Sequence, residues 1–161
     1  MKTETQVSST EYFPHIDLIL HSLRINRDRL SSKSKIAIDA RLLRLMLQTI
    51  AAKLAFSEEF YMEQYPDLAE AYAAGKIPNL HQHFLDSGYL EGRIGSPPDV
   101  DEAYYLAHYK DVGKAVASGD VANGAEHYMR AGAAEGRVPN AATRQSIDNW
   151  MAVLRDETGR G

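Results

Sequence analysis

Apolar positions along the chain recur at helical rather than strand spacing. Phe13, Ile16, Leu20 and Leu23 fall on one stripe with Ile19 beside it, which predicts an amphipathic helix over 13–23. A second helix is predicted from about Ile36 to Ala55, presenting Leu42, Leu43, Leu45, Met46, Leu47, Ile50 and Leu54. Five apolar residues among Leu42–Leu47, broken only by Arg44, exceed what a one-sided surface helix needs, so deep burial or a subunit interface is expected there. Between these helices runs a basic, serine-containing connector, Arg24 to Lys35. Towards the C-terminus, Pro139-Asn140 opens a last helix in which Ile147, Trp150, Met151 and Leu154 recur at three- and four-residue steps. No run alternates with period two for long enough to make a strand, so the fold class is all-α.

The middle of the chain repeats itself. Phe56–Ile94 aligns without gaps on Val100–Val138 at a period of 44, with thirteen of 39 positions identical. Beyond the identities, Phe60/Tyr104, Leu68/Val112 and Phe84/Tyr128 keep bulk and apolarity. Within each unit Ser57 or Asp101 is placed to cap a short helix with an acidic first turn, and Tyr61, Tyr65 and Leu68, or Tyr105, Tyr109 and Val112, follow at helical spacing. Pro66 forces a kink or a new start in the first unit, whereas the second has Lys110 there, so its kink is open. Gly75 and Gly119 supply the left-handed residue that ends the segment. A second short helix is predicted over about 78–87 or 123–131, stopping at Gly88 or Gly132, followed by a turn at Gly92 or Gly136.

The chain therefore divides into a flexible N-terminus (1–12), an N-terminal helical pair (13–55), two tandem helical repeats (56–99 and 100–139) and a C-terminal capping helix with a fraying tail (140–161). Its 161 residues, 44% hydrophobic and 25% charged, can bury a core without staples, and the absence of cysteine removes disulfide, thiolate-metal and Cys-nucleophile chemistry. The net charge of −4 argues against a general nucleic-acid binder. That figure is an average: residues 1–55 carry nine Lys/Arg against five Asp/Glu, and 56–161 carry nine against seventeen. No apolar h-region precedes the first helix and charges interrupt the most apolar stretch, so a cytoplasmic protein without a membrane span is expected.

The pattern Tyr-X3-Tyr-Pro-Asp-Leu, then Ala-X-Ala-X-Gly, then His-Phe/Tyr-X3-Gly-X2-Glu-Gly-Arg, resembles short tandem repeats of bacterial proteins linked to surface polysaccharide and glycosyltransferases. The resemblance covers 56–139. It implies a non-catalytic module that works beside such enzymes, in polysaccharide or cell-envelope production.

One polar constellation recurs: His83 with Glu91 and Arg93, and His127 with Glu135 and Arg137. Each set could be a general acid/base centre, because histidine titrates near neutrality and a carboxylate can orient it. Alternatively, histidine closes a hydrogen bond to the turn while arginine pairs with Asp67 or Asp111, or with a helix-end carbonyl. Repetition favours the structural reading, since a residue needed to build every copy recurs whereas a catalytic site is normally unique. The structural set is then Tyr61, Tyr65, Asp67, Gly75, His83, Gly88, Gly92 and Arg93, with Tyr105, Tyr109, Asp111, Gly119, His127, Gly132, Gly136 and Arg137.

No metal or cofactor is expected. His81 and His83 diverge at i and i+2 on a helix, Ala125 replaces His81 in the second unit, and no nucleotide or nucleophile-elbow glycine fingerprint occurs. Tyr72 and Tyr89, replaced by Val116 and Ala133, escape the repeat constraint and are the candidate contacts for a saccharide. Arg24, Arg27, Arg29, Lys33 and Lys35 could touch phosphate, although Asp28 dilutes them and a solvated loop is the plainer reading.

These readings converge on a non-enzymatic scaffold or accessory protein that partners another protein and forms a homo-oligomer through Leu42, Leu43, Met46, Leu47, Ile50 and Leu54. Two alternatives stand beside it: a small enzyme acting on a sugar or envelope intermediate through a His/Glu pair, and a regulatory nucleic-acid binder using residues 24–44.

Overall fold

The computed structural model describes residues 12–32 and 35–155, in which every regular element is helical and no strand occurs. The expected flexible N-terminus, except Tyr12, and the expected fraying tail from residue 156 lie outside the described residues, as does Lys33. The chain divides into a unit ending at Ile50 and a unit beginning at Ala51.

In the first unit both helices are shorter than periodicity predicts. Helix α1 spans Ile16–Leu23, because Phe13 precedes a proline and is biased to extended backbone, and His15 caps the start by accepting from the Asp17 amide at 3.2 Å. Helix α2 spans Ala40–Ala51 rather than 36–55. Asp39 fixes its start, its carboxylate accepting from the Arg41 amide at 2.8 Å and its carbonyl from the Leu43 amide at 3.0 Å. Leu54 lies beyond the helix, in a turn whose amide bonds to the Ala51 carbonyl. Deep burial of the leucine-rich stretch is overturned: Leu43, Leu45 and Ile50 are 42%, 61% and 50% exposed, Leu42, Met46 and Leu47 are half-buried, and only Ala51 of α2 is buried. The connector forms a short 3-10 turn, Arg27–Ser31, rather than an open loop.

In the second unit α3 (Glu58–Gln64), α4 (Pro66–Ala73) and α5 (Leu80–His83) are followed 44 residues on by α6 (Glu102–His108), α7 (Lys110–Ser118) and α8 (Gly124–His127). Ser57 and Asp101 cap α3 and α6; Asn79 and Asn123 cap α5 and α8, each accepting an amide hydrogen bond at 2.8 Å. The predicted second helix is corrected in both segments. It is four residues of α-helix that widen into a π turn, Phe84–Gly88 or Tyr128–Gly132.

Tyr61, Leu68, Leu80 and Phe84 form the buried centre of the first segment. Tyr105 and Val112 hold the same places in the second, where Gly124 stands in for Leu80 and Glu102 moves in, its carboxylate accepting from the Gly124 amide at 2.7 Å. Asn140 is buried, donates to the Asp99 carbonyl at 2.7 Å and accepts from the Thr143 amide at 3.0 Å, which sets up a 3-10 turn and then α9 (Arg144–Leu154). The predicted stripe on α9 splits. Ile147 and Met151 face inward, whereas Trp150 and Leu154 are 62% and 54% exposed. On the inward side the Met151 side chain rests directly over the bare Cα of Gly136.

Candidate functional site

The spacing Tyr-X3-Tyr puts one ring inside the first helix of each segment and the other at its end. Tyr61 and Tyr105 are fully buried, and their hydroxyls meet His83 Nδ1 at 3.2 Å and His127 Nδ1 at 3.1 Å. Burial pushes both phenols up to about 12, so each keeps its proton at neutral pH and donates to Nδ1 when the imidazole carries its own proton on Nε2. The histidine thus bonds a tyrosine of another helix and not the local turn. It does so because His83 and His127 end the short helices α5 and α8, which pack against α3 and α6, and Gly88 or Gly132 leaves room for the hydroxyl.

Tyr65 and Tyr109 act at the helix break. Their hydroxyls accept from the Ile94 amide at 2.8 Å and the Val138 amide at 2.7 Å, 29 residues away. The break itself is the same in both segments, with φ −127° at Tyr65 and −114° at Tyr109, even though Lys110 replaces Pro66. Tertiary anchoring of the tyrosine holds the kink, and the proline is dispensable to it.

Arg93 lies over the Tyr65 ring at 4.8 Å, pairs with Asp67 at 3.1 Å and bonds Glu91 at 2.9 Å. Arg137 does the same with Tyr109 at 4.8 Å, with Asp111 at 2.8 Å and with Glu135. Glu91 and Glu135 are therefore bonded to arginine, and among the described residues no hydrogen bond joins either histidine to either glutamate. The guanidinium beside Asp111 holds its carboxyl down at about 2, and Asp67 is lowered for the same reason.

A depressed carboxylate stabilises the fold above its unfolded value, near 3.9, and loses that contribution as pH falls through the folded value. Acid titration followed by carboxyl-carbon NMR is accordingly expected to show Asp111 half-protonated near pH 2. The Arg137 pairing should be intact at pH 5 and half-lost near pH 2, while its contribution to stability fades between about pH 4 and 2. A midpoint near 4 would show the pair absent in solution.

No protein family, curated protein or solved structure matches this chain.

The other candidate residues are scattered. Tyr89 is half-buried with its ring edge-on to Phe84 at 6.2 Å, while Tyr72 is 37% exposed. His81 stacks on Phe56 at 4.7 Å and does not accompany His83; no cluster of three or more metal-ligating side chains occurs among the described residues. In the basic region Arg27 pairs with Asp17, Arg29 donates to the Lys35 carbonyl at 3.4 Å and Arg41 pairs with Asp39 at 2.8 Å. No helix among the described residues is long and apolar enough to cross a membrane.

Sequence reading missed the Asn79 and Asn123 caps, although an asparagine before each short helix was a usable signal. It also missed the tyrosine-to-amide bonds, for which spacing gives no signal at all.

Proposed function

We propose that the protein is a non-enzymatic interaction module that self-associates and docks another protein in the cytoplasm, acting as a scaffold or accessory in bacterial polysaccharide or envelope production. The observation that carries the reading is the exposure of Leu43, Leu45 and Ile50 on one apolar helix, beside an apolar groove of about 170 Å³ lined by Phe13, Ile19, Leu42 and Met46. Leu45 lies at that groove, whereas Leu43 and Ile50, seven residues apart, share the other side of the helix, so apolar surface is open on two sides, and exposed apolar surface marks a contact site. The polar constellation supports the same side of the question, since in both segments its histidine is bonded to a buried tyrosine and its glutamate to its arginine, which suits building a copy better than turning over a substrate. The polysaccharide context rests on the motif resemblance.

Light scattering on the purified chain is expected to give at least a dimer, and Leu43→Asp or Leu45→Asp is expected to lower its mass. A monomer at micromolar concentration, unchanged by either substitution, overturns the self-association.

A further inference from the structure

The second unit contains a groove of about 290 Å³ where the two segments meet, lined by Phe60, Tyr65 and Ile94 from the first and by Met129 and Arg130 from the second. Phe60, Ile94 and Met129 give it an apolar side, on which Phe60 and Ile94 are largely covered, and Gln64 and Glu126 line it as well. Arg130 is exposed and, among the described residues, its guanidinium has no hydrogen-bond acceptor, carboxylate or aromatic ring.

The molecule holds its own comparison for this place. One segment on, Tyr104 stands where Phe60 stands, and there Arg144 of α9 donates to the Tyr104 hydroxyl at 2.6 and 2.9 Å and lies over its ring at 5.8 Å. Phe60 has no hydroxyl, so the arginine at the first groove lacks the acceptor that the second one has. The position of Arg130 is also free of the repeat: its counterpart is Asp86, of opposite charge, which accepts from Gln82 at 2.9 Å. Building a copy therefore does not require an arginine there. Glu126, also at the groove, is turned to the loop before its own helix, where it accepts from the Ala122 amide.

From this we infer that the groove between the segments binds a carboxylate carried on a compact apolar body, the anion on Arg130 and the body on Phe60, Ile94 and Met129. Guanidinium and carboxylate match as a two-pronged charge-assisted pair. The volume suits the body: an apolar cavity of roughly 150 Å³ takes a benzene ring, so about 290 Å³ takes a ring or a branched aliphatic group together with its carboxylate. Such a group could arrive as a small free acid or as the C-terminus of a polypeptide ending in an apolar residue.

The test is a titration of the full chain followed by methyl and amide NMR. Benzoate serves as the free acid, and acetyl-alanyl-leucine, as its acid and its amide, serves as the chain end. Saturable shifts are expected at Ile94, Met129 and Gln64 with the acids, and at least tenfold weaker binding with benzamide and with the leucine amide. Arg130→Gln should weaken the acids at least tenfold while leaving the spectrum of the rest of the unit unchanged, because the side chain is exposed. Phe60→Tyr, which restores the acceptor found at Tyr104, should weaken them severalfold. The stronger of the two acids identifies the source. Equal shifts from acid and amide, or an Arg130→Gln affinity within twofold of the parent, overturn the assignment whether or not the chain self-associates.

Discussion

Replacing Tyr105 by alanine is expected to cost about 3–5 kcal/mol of folding stability, the range for deleting a fully buried aromatic ring. The ring is not exposed at all, sits 4.8 Å from Tyr109, 5.9 Å from Tyr128 and 6.0 Å from His127, and ends in the hydroxyl that bonds His127. Tyr105→Phe keeps the ring and removes only the bond to His127 Nδ1. It should cost about 1 kcal/mol, the usual net value of one hydrogen bond. Urea denaturation followed by circular dichroism measures both. An alanine variant no worse than the phenylalanine variant would mean that the ring is not the centre of the segment.

Gly88→Ala carries the next largest effect, and its sign depends on a partner. A Cβ at Gly88 would fall on the Tyr61 hydroxyl, inside any allowed contact, and that hydroxyl cannot swing away because its ring is fully buried. Overpacking of this kind costs about 3 kcal/mol. Alanine gains about 1 kcal/mol over glycine in a helix, so the net loss should be near 2 kcal/mol. With Tyr61→Phe in place the obstruction is gone, and the remaining neighbours, Tyr61 Cζ at 3.4 Å and Phe84 at 3.5 Å, are at ordinary distance. Gly88→Ala should then become neutral or stabilising. A double-mutant cycle reads this as a coupling of about 2–3 kcal/mol, and additive losses would reject the contact.

The all-α class was legible because helical periodicity runs through every element and no alternation competes with it. The identical residues at a period of 44 pointed to which side chains matter, and the Arg93–Asp67 and Arg137–Asp111 pairs were among the partners named for arginine. Element ends were read less well. Periodicity extended α2 back to Ile36 because apolar residues continue there, whereas a single Asp39 carboxylate decides where the helix starts. The π turns were invisible, since a widened turn differs from an α-turn by one residue of register and leaves the apolar spacing almost intact. The histidine partner was misjudged because proximity in sequence favoured the turn, while the tyrosine lies 22 residues away. Trp150 shows a further limit: periodicity says that a stripe exists, and only packing says how much of it another surface covers.

The three long-range bonds that recur in each segment join residues 22, 26 and 29 apart, and every one of them closes within a single segment. The chain-entropy cost of closing such a loop, about 3 kcal/mol or more, is below that of a loop spanning both segments, although it grows only slowly with length. Each segment can thus complete its own locks as soon as it has left the ribosome, without waiting for the other. The array should belong to the low-contact-order class that folds quickly and exposes its tyrosines only briefly.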